Sequence, residues 1–198
     1  MASTHKSPPP AGTYLAGKLL IAMPGIGDPR FERAVILICA HDDAHAMGLA
    51  VNRPVGGLIL SDLLERLEIA TNPVGAKGLD DAVLIGGPVE RERGFVLHTA
   101  DYHSEHSLPV GESLALTSTR DVLEILAHGQ GPRRSVMALG YAGWGAGQLE
   151  QEIRDNVWLT CPADEALLFD DDHDHKWSQA LAKLGVDPGL LSAVAGRA

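Results

Sequence analysis

The stretch that constrains this fold most strongly runs from Ser135 to Leu159, with the sequence SVMALGYAGWGAGQLEQEIRDNVWL. Its first part, up to Tyr141, has no polar residue after the initial serine. A strand with one exposed face alternates apolar and polar residues, so this pattern predicts a strand covered on both faces. Gly143, Gly145 and Gly147 follow and predict a turn, because glycine tolerates left-handed backbone and the close approach of another segment.

The second half of the same stretch predicts a short helix and another strand. Leu149 and Ile153 are four residues apart, which gives a helix one narrow apolar stripe. Asparagine often ends a helix, so Asn156 predicts the end of this one. Residues 157–159 then form an apolar segment that is typical of a strand. The whole stretch therefore predicts a buried strand, a glycine-rich turn, a short helix and a second strand.

The glycine spacing also raises the possibility of phosphate binding, since the N-terminus of a helix attracts anions. However, Gln148 follows Gly147, so the full G-x-G-x-x-G pattern of dinucleotide sites is absent. Glu150 and Glu152 lie in the first turns of the predicted helix and oppose its N-terminal charge of about +0.5. We therefore interpret the glycines as packing positions and Trp144 as a buried plug, with a stacking platform as the alternative for Trp144.

Several short blocks elsewhere in the chain are as distinctive as the glycine-rich stretch. They are Ala22-Met23-Pro24-Gly25 with Asp28-Pro29 and Phe31, Met47-Gly48-Leu49 with Asn52-Arg53-Pro54, Gly86-Gly87-Pro88-Val89 and Gly94-Phe95-Val96-Leu97-His98. We assign nine residues of these segments to a structural signature: Gly86, Gly87, Pro88, Gly140, Gly143, Gly145, Gly147, Gln148 and Trp158. Together the blocks resemble the YqgE/AlgH family of small bacterial proteins.

The resemblance implies an α+β fold: a single domain with a strongly curved, partly closed mixed β-sheet, barrel-like and small, surrounded by helices. The family is labelled one of transcriptional regulators, with no catalytic motif established. The resemblance therefore implies a non-enzymatic binding or regulatory protein. Because the net charge of −10 disfavours direct DNA binding, we expect it to act through a protein partner. A small hydrolase-like enzyme using a metal or an Arg/His polar site is the alternative.

The length of 198 residues suits a single domain with an ample core. Residues 1–13 are rich in Ser, Thr, Pro and Ala, and we expect a disordered N-terminal tail there. The domain is then expected to span residues 14–186, followed by a C-terminal tail at 187–198. Within it, Ser61 and the pair Ser118 and Asp121 predict helix N-caps, and Pro162 predicts the first turn of a later helix.

The charge balance argues against nucleic acid and anionic membrane surfaces as partners. The chain has 16 basic and 26 acidic residues, for a net charge of −10. No apolar run reaches the length of a membrane span, and no signal peptide is apparent at the N-terminus. Cys39 and Cys161 lie in apolar surroundings without CxxC spacing. They indicate buried free thiols in a bacterial cytoplasm, with one disulfide as the alternative.

Five residues are candidates for binding: His41, Asn52, Arg53, His98 and Trp144. Arg53 is able to clamp a carboxylate or phosphate, although a structural clamp on backbone carbonyls is the favoured interpretation. A metal on His41 and His98 is chemically reasonable if their loops meet, but the irregular histidine spacing does not support it. No serine has a G-x-S-x-G context. We therefore predict no catalytic residue, no metal and no cofactor.

Overall fold

The computed structural model describes residues 15–72 and 74–191. The predicted N-terminal tail, and residues 192–198 of the predicted C-terminal tail, lie outside the described residues. The described residues form ten strands: β1 Lys18–Ala22, β2 Val35–His41, β3 His45–Ala50, β4 Pro54–Ile59, β5 Ala82–Ile85, β6 Val89–Thr99, β7 Leu108–Val110, β8 Leu114–Thr117, β9 Ser135–Gly145 and β10 Trp158–Pro162.

Five α-helices and two short 3-10 helices accompany these strands in the described ranges. The α-helices are α1 Leu60–Arg66, α2 Arg120–Ala127, α3 Gln148–Arg154, α4 Glu165–Leu168 and α5 Lys176–Lys183. The 3-10 helices are Pro29–Phe31 and Pro188–Leu190. No helix of the described ranges is both long enough and apolar enough to cross a membrane.

All ten strands belong to one strongly curled mixed sheet. Its main path runs β10-β1-β2-β3-β9-β6-β8-β7, and its pairs are antiparallel. Strand β5 pairs in parallel with β9 and antiparallel with β4. The prediction of a single α+β domain with a curved, partly closed mixed sheet is confirmed.

Strand β9 is the hub of the sheet because it pairs with three other strands. Its second half pairs with β3, where Gly48 opposes Ala142, and its first half pairs with β6, where Phe95 opposes Ala138. Strand β5 also pairs with the first half, in parallel. Successive side chains of β9 pack into different apolar clusters, as Met137 and Ala138 do, so both faces of the strand are covered and its sequence lacks the alternation of a half-exposed strand.

Signature glycines allow residues 86–87, which precede β6, to lie in direct backbone contact with β9. Gly140 has φ +71°, and a Cβ there would lie 2.6 Å from the carbonyl oxygen of Gly87. A Cβ on Gly87 would lie 2.0 Å from the carbonyl carbon of Tyr141. Gly86 donates its N–H to the Leu139 carbonyl at 2.8 Å. Only glycine fits such contacts, so these positions have a structural role.

The predicted turn at Gly143 and Gly145 was wrong. Both residues continue β9, because β3 extends far enough to pair with them, with His45 opposite Gly145. The chain turns only at Gly147, which has φ +69° and serves as the N-cap of α3. Asn156, with φ +56°, follows the end of α3.

The predicted caps were also wrong. Ile59 and Thr119 are the N-cap residues of α1 and α2, and neither makes a side-chain cap bond. Pro162 ends β10 instead of starting a helix. Cys39 and Cys161 are buried free thiols, and burial raises the pKa of Cys39 to about 12. The prediction of free thiols is therefore confirmed.

Candidate functional site

His98 is a core residue whose two ring nitrogens are both bonded. The side chain is fully buried, and its Nδ1 donates to the Thr99 carbonyl at 2.9 Å. Its Nε2 accepts from the Thr117 hydroxyl, also at 2.9 Å, and the ring packs edge-on against Tyr102. Burial lowers the pKa of His98, so the neutral ring is favoured. These bonds give His98 a structural role in joining β6 to β8.

His41 lies at the end of β2 and is also buried. Its Nε2 donates to Glu150 Oε1 of α3 at 2.7 Å. The hydrogen bond to His41 contributes to lowering the pKa of Glu150, after a larger contribution from the backbone N–H of Glu150 itself. His41 therefore attaches helix α3 to the sheet. Among the described residues, no group of three or more His, Cys, Asp or Glu side chains is arranged to hold a metal.

Asn52 and Arg53 both bind backbone groups at the start of β2 and in the segment before it. Asn52 accepts from the Val35 N–H and donates to the Arg33 carbonyl, each at 2.9 Å. Arg53 donates through Nη2 to the Glu32 carbonyl at 2.6 Å. This is the structural clamp that we favoured for Arg53, and it turns the guanidinium toward the protein's own backbone.

Trp144, another candidate binding residue, lines a cavity. It lies near the end of β9, is almost fully buried, and packs edge-on against Trp158 of β10 at 6.1 Å between ring centroids. Both indole N–H groups donate to Oε2 of Glu152, each at 2.8 Å. The other carboxylate oxygen, Oε1, accepts from Gln148 Nε2 at 2.9 Å. Helix α3 thus supplies one carboxylate that fixes both tryptophans.

These residues form one side of a cavity of about 430 Å³, which we call the aromatic cavity. Its aromatic lining is Phe31, Trp144 and Trp158, and Glu152 and Gln148 provide its polar wall. Arg30 stands at the mouth, 60% exposed, and is paired with Asp28 at 2.7 Å. Pro88, Gly143, Gln148 and Trp158 of the sequence signature all line this cavity.

A second cavity, of about 230 Å³, lies between α1 and α2 over strands β6 and β9; we call it the α1–α2 groove. Six apolar side chains line it: Leu63, Leu67, Val96, Leu123, Met137 and Leu139. Its polar lining includes Glu92, Arg120 and Thr119. Within the described part of the chain, the buried Thr119 hydroxyl has no hydrogen-bond partner.

Sequence reasoning missed the α1–α2 groove because its residues come from four separate segments. A signal was present in α1, where Leu60, Leu63, Leu64 and Leu67 follow helical spacing and form a stripe wider than the core requires. The core takes Leu60 and Leu64, whereas Leu67 stays 37% exposed at the groove. Gly94 was noted only as part of the signature. A Cβ there would meet the Met137 Cε at 2.5 Å, so Gly94 leaves space for the groove floor.

Sequence reasoning also missed Lys176, a fully buried lysine at the start of α5. Its ammonium donates to the carbonyls of Val51 and Leu168 at 2.9 and 3.0 Å. Burial lowers the pKa of Lys176 from its usual 10.5 to about 8, although Asp170 and Asp171 act in the opposite direction. Such a shift marks a candidate functional group, but the two carbonyl bonds give it a clear structural role.

Sequence comparison finds close relatives along nearly the whole chain. The family model described as AlgH-like matches residues 19–189. A UPF0301 protein of Caulobacter vibrioides is 61% identical over 189 residues, covering 94% of this chain and 95% of the relative. A UPF0301 protein of Rhodospirillum rubrum is 52% identical over 186 residues, covering 93% of this chain and 95% of the relative.

Solved structures agree with this result. The solution structure of the AlgH protein from Pseudomonas aeruginosa matches with a TM-score of 0.74 at 47% identity, covering 98% of this chain and 100% of that one. A crystal structure from Corynebacterium diphtheriae matches with a TM-score of 0.66, over 89% and 88% of the two chains. At 21% identity this second likeness concerns the fold alone. The UPF0301 proteins are relatives of this chain, and the chain belongs to the AlgH-like family.

Proposed function

We propose that this protein is a non-catalytic binding protein that captures a basic, apolar segment of a protein partner in the α1–α2 groove. The observation that carries the proposal is the apolar lining of this groove, which remains open at the surface between two helices. Apolar grooves between helices are a common way to receive the anchor residues of a partner segment.

The groove has the properties of an adaptable docking site. Met137 contributes its floor, and the flexible thioether side chain adjusts to apolar groups of different shape. Leu67 offers an apolar rim that is 37% exposed. The buried hydroxyl of Thr119 has no partner among the described residues, and a rotation about χ1 would let it form one hydrogen bond with an incoming backbone or side chain. Apolar contact would supply the affinity, and this polar group would fix the orientation.

Charge decides which segment fits. Helices α1 and α2, on either side of the groove, carry four acidic residues, Asp62, Glu65, Asp121 and Glu124, against the basic residues Arg66 and Arg120. Of these six, Arg120 lines the groove, and the acidic residues lie where the flanks of a bound segment would pass. Arg120 is already paired with Glu124 at 3.1 Å, and the whole chain carries −10. Apolar anchors flanked by Lys or Arg are therefore the complementary chemistry. The same charge disfavours DNA, so a regulatory role would operate through the captured protein.

The enzyme alternative has weaker support, because the residues nominated for it are bonded to their own chain. His98 uses both ring nitrogens, and Arg53 is turned onto backbone carbonyls. We also propose a cytoplasmic location, which the two free thiols of Cys39 and Cys161 support.

The test compares capture of partner proteins by matched variants of the full chain. Gly94→Val fills the groove floor and Leu67→Lys places a repelling charge on its rim. Gly145→Val and Leu184→Lys are the controls, since Gly145 has open space around it and Leu184 is 38% exposed outside the groove. Quantitative proteomics of bacterial lysate should identify proteins that both controls retain and both groove variants lose.

A peptide from the captured protein should then bind the purified chain, and binding should weaken as salt rises. The peptide with its Lys and Arg residues replaced by Gln should bind less tightly. Capture that survives both groove variants would contradict the proposal, as would a peptide whose affinity does not depend on its basic residues.

A further inference from the structure

The aromatic cavity contains three rings that meet nearly at right angles. Phe31 and Trp158 are 5.8 Å apart between centroids, with an interplanar angle of 77°. Trp144 and Trp158 are 6.1 Å apart, at 79°. Because the faces of aromatic rings carry negative potential, rings arranged around one cavity attract a positively charged group.

A carboxylate lies in the wall of the same cavity. Glu152 accepts bonds from Trp144, Trp158 and Gln148, so its position is fixed without any ligand. The indole N–H groups are used in these bonds, as is the side-chain amide of Gln148. A ligand that needs hydrogen bonds therefore gains little here, whereas a cation without hydrogen-bond donors is attracted by the aromatic lining and by the nearby negative charge.

The protein already places a cation of its own at the mouth of the cavity. The guanidinium carbon of Arg30 lies 5.8 Å from the centroid of Phe31. Arg30 is 60% exposed, and its charge is neutralised by Asp28, to which Nε and Nη2 both donate. Because this ion pair is exposed, breaking it costs little, and the Arg30 side chain then swings outward and uncovers the Phe31 ring for another cation.

We propose that the aromatic cavity binds a small organic cation of the methylated-ammonium class, which displaces Arg30 from Phe31. A quaternary ammonium group cannot donate a hydrogen bond, and aromatic cages are the usual protein sites for it. The cavity volume of about 430 Å³ lies within the range of small-molecule sites, about 300–1,000 Å³. This site is separate from the α1–α2 groove and does not depend on it.

The probe is choline, titrated into the full chain at constant ionic strength with sodium chloride as the matched salt. Its neutral isostere, 3,3-dimethyl-1-butanol, has the same shape with carbon in place of the charged nitrogen. Intrinsic tryptophan fluorescence reports binding, because Trp144 and Trp158 line the cavity. We expect a saturable change with choline and binding of the isostere that is about tenfold weaker or more, the effect of a desolvated cation–π contact.

Three variants locate the binding. Phe31→Leu should weaken choline about fivefold, and Arg30→Ala should tighten it by removing the competing cation. Glu152→Gln keeps an oxygen that accepts from the indoles and should weaken choline while leaving the isostere unchanged. The thermal midpoint of each variant shows that it is folded. Equal binding of choline and its isostere would overturn the proposal, and so would an absence of saturable binding or unchanged affinity in Phe31→Leu.

Discussion

Trp144 and Trp158 donate their indole N–H groups to the same atom, Oε2 of Glu152, each over 2.8 Å. The two tryptophans come from different strands, β9 and β10, and Glu152 comes from the helix between them. A single carboxylate therefore ties together the three elements that follow one another at the end of the signature stretch. Its removal would leave two nearly buried donors without their acceptor.

We predict that Glu152→Ala destabilises the fold by about 2–6 kcal/mol, because it leaves two buried donors unsatisfied and each costs about 1–3 kcal/mol. Glu152→Gln should cost less, since an amide oxygen still accepts from the indoles. Urea unfolding followed by tryptophan fluorescence measures both. The control is Glu112→Ala, at an exposed residue outside the aromatic cavity. Equal stability of Glu152→Ala and Glu112→Ala would show that the shared carboxylate of Glu152 does not stabilise the fold.

A second prediction separates two glycines of the same strand. Gly140→Ala should cost on the order of 2–4 kcal/mol, because φ is +71° there and a Cβ would lie 2.6 Å from the Gly87 carbonyl oxygen. Gly145→Ala should cost less than about 1 kcal/mol, since the nearest atom is 4.0 Å away, at the end of the Gln148 side chain. Thermal melting of both variants decides the point. A larger loss at Gly145 would contradict this ranking.

The third prediction concerns pH and Lys176, whose pKa burial lowers from 10.5 to about 8. Between these values the unfolded chain holds a proton that the native chain has released. Raising the pH through this window therefore favours the native state, by up to about 3 kcal/mol.

The measurement is the free energy of unfolding at pH 7.5, 9 and 10, for the natural chain and for Lys176→Met. We expect the free energy of unfolding of the natural chain to rise with pH relative to that of Lys176→Met. The reason is that Lys176 becomes neutral in the native state, so that the natural chain no longer buries a charge. Other groups that titrate in this range cancel in the difference. A difference that stays constant with pH would mean that Lys176 is not perturbed by burial.

The fourth prediction is that the isolated protein does not bind duplex DNA. Affinity for DNA depends on several basic side chains that neutralise phosphates on one face. Here Arg93 is paired with Glu90 at 3.1 Å and Arg133 with Glu165 at 2.8 Å, within a chain of net charge −10. Fluorescence anisotropy at low ionic strength should show no binding. Micromolar affinity that falls steeply with added salt would contradict the prediction.

The sequence predicted those features that depend on short segments. The apolar run of β9 indicated a strand covered on both faces, and the signature blocks indicated the family and its curved sheet. The turn at Gly143 and Gly145 was wrong because the extent of β9 is decided by its pairing with the distant strand β3. Local glycine content carries no information about that pairing.

The candidate sites were harder to predict, because they depend on which segments meet. Trp144 was correctly interpreted as a packed residue, but nothing local indicated that Glu152 would bind it together with Trp158. His98 was assigned to a loop, although it lies in β6 and is fully bonded in the core. The α1–α2 groove could not be seen at all, since its lining comes from parts of the chain that are distant in sequence.

The hub position of β9 also has a consequence for the order in which the protein is made. Strands β3, β5 and β6 all emerge from the ribosome before β9, and each of them pairs with it. Until β9 has been synthesised, the edge of each strand that will pair with β9 has no partner, although β2, β4 and β8 are already available to pair with the opposite edges. We expect the nascent chain to remain open to proteases and to chaperones up to that point, and the sheet to close only after β9 has emerged.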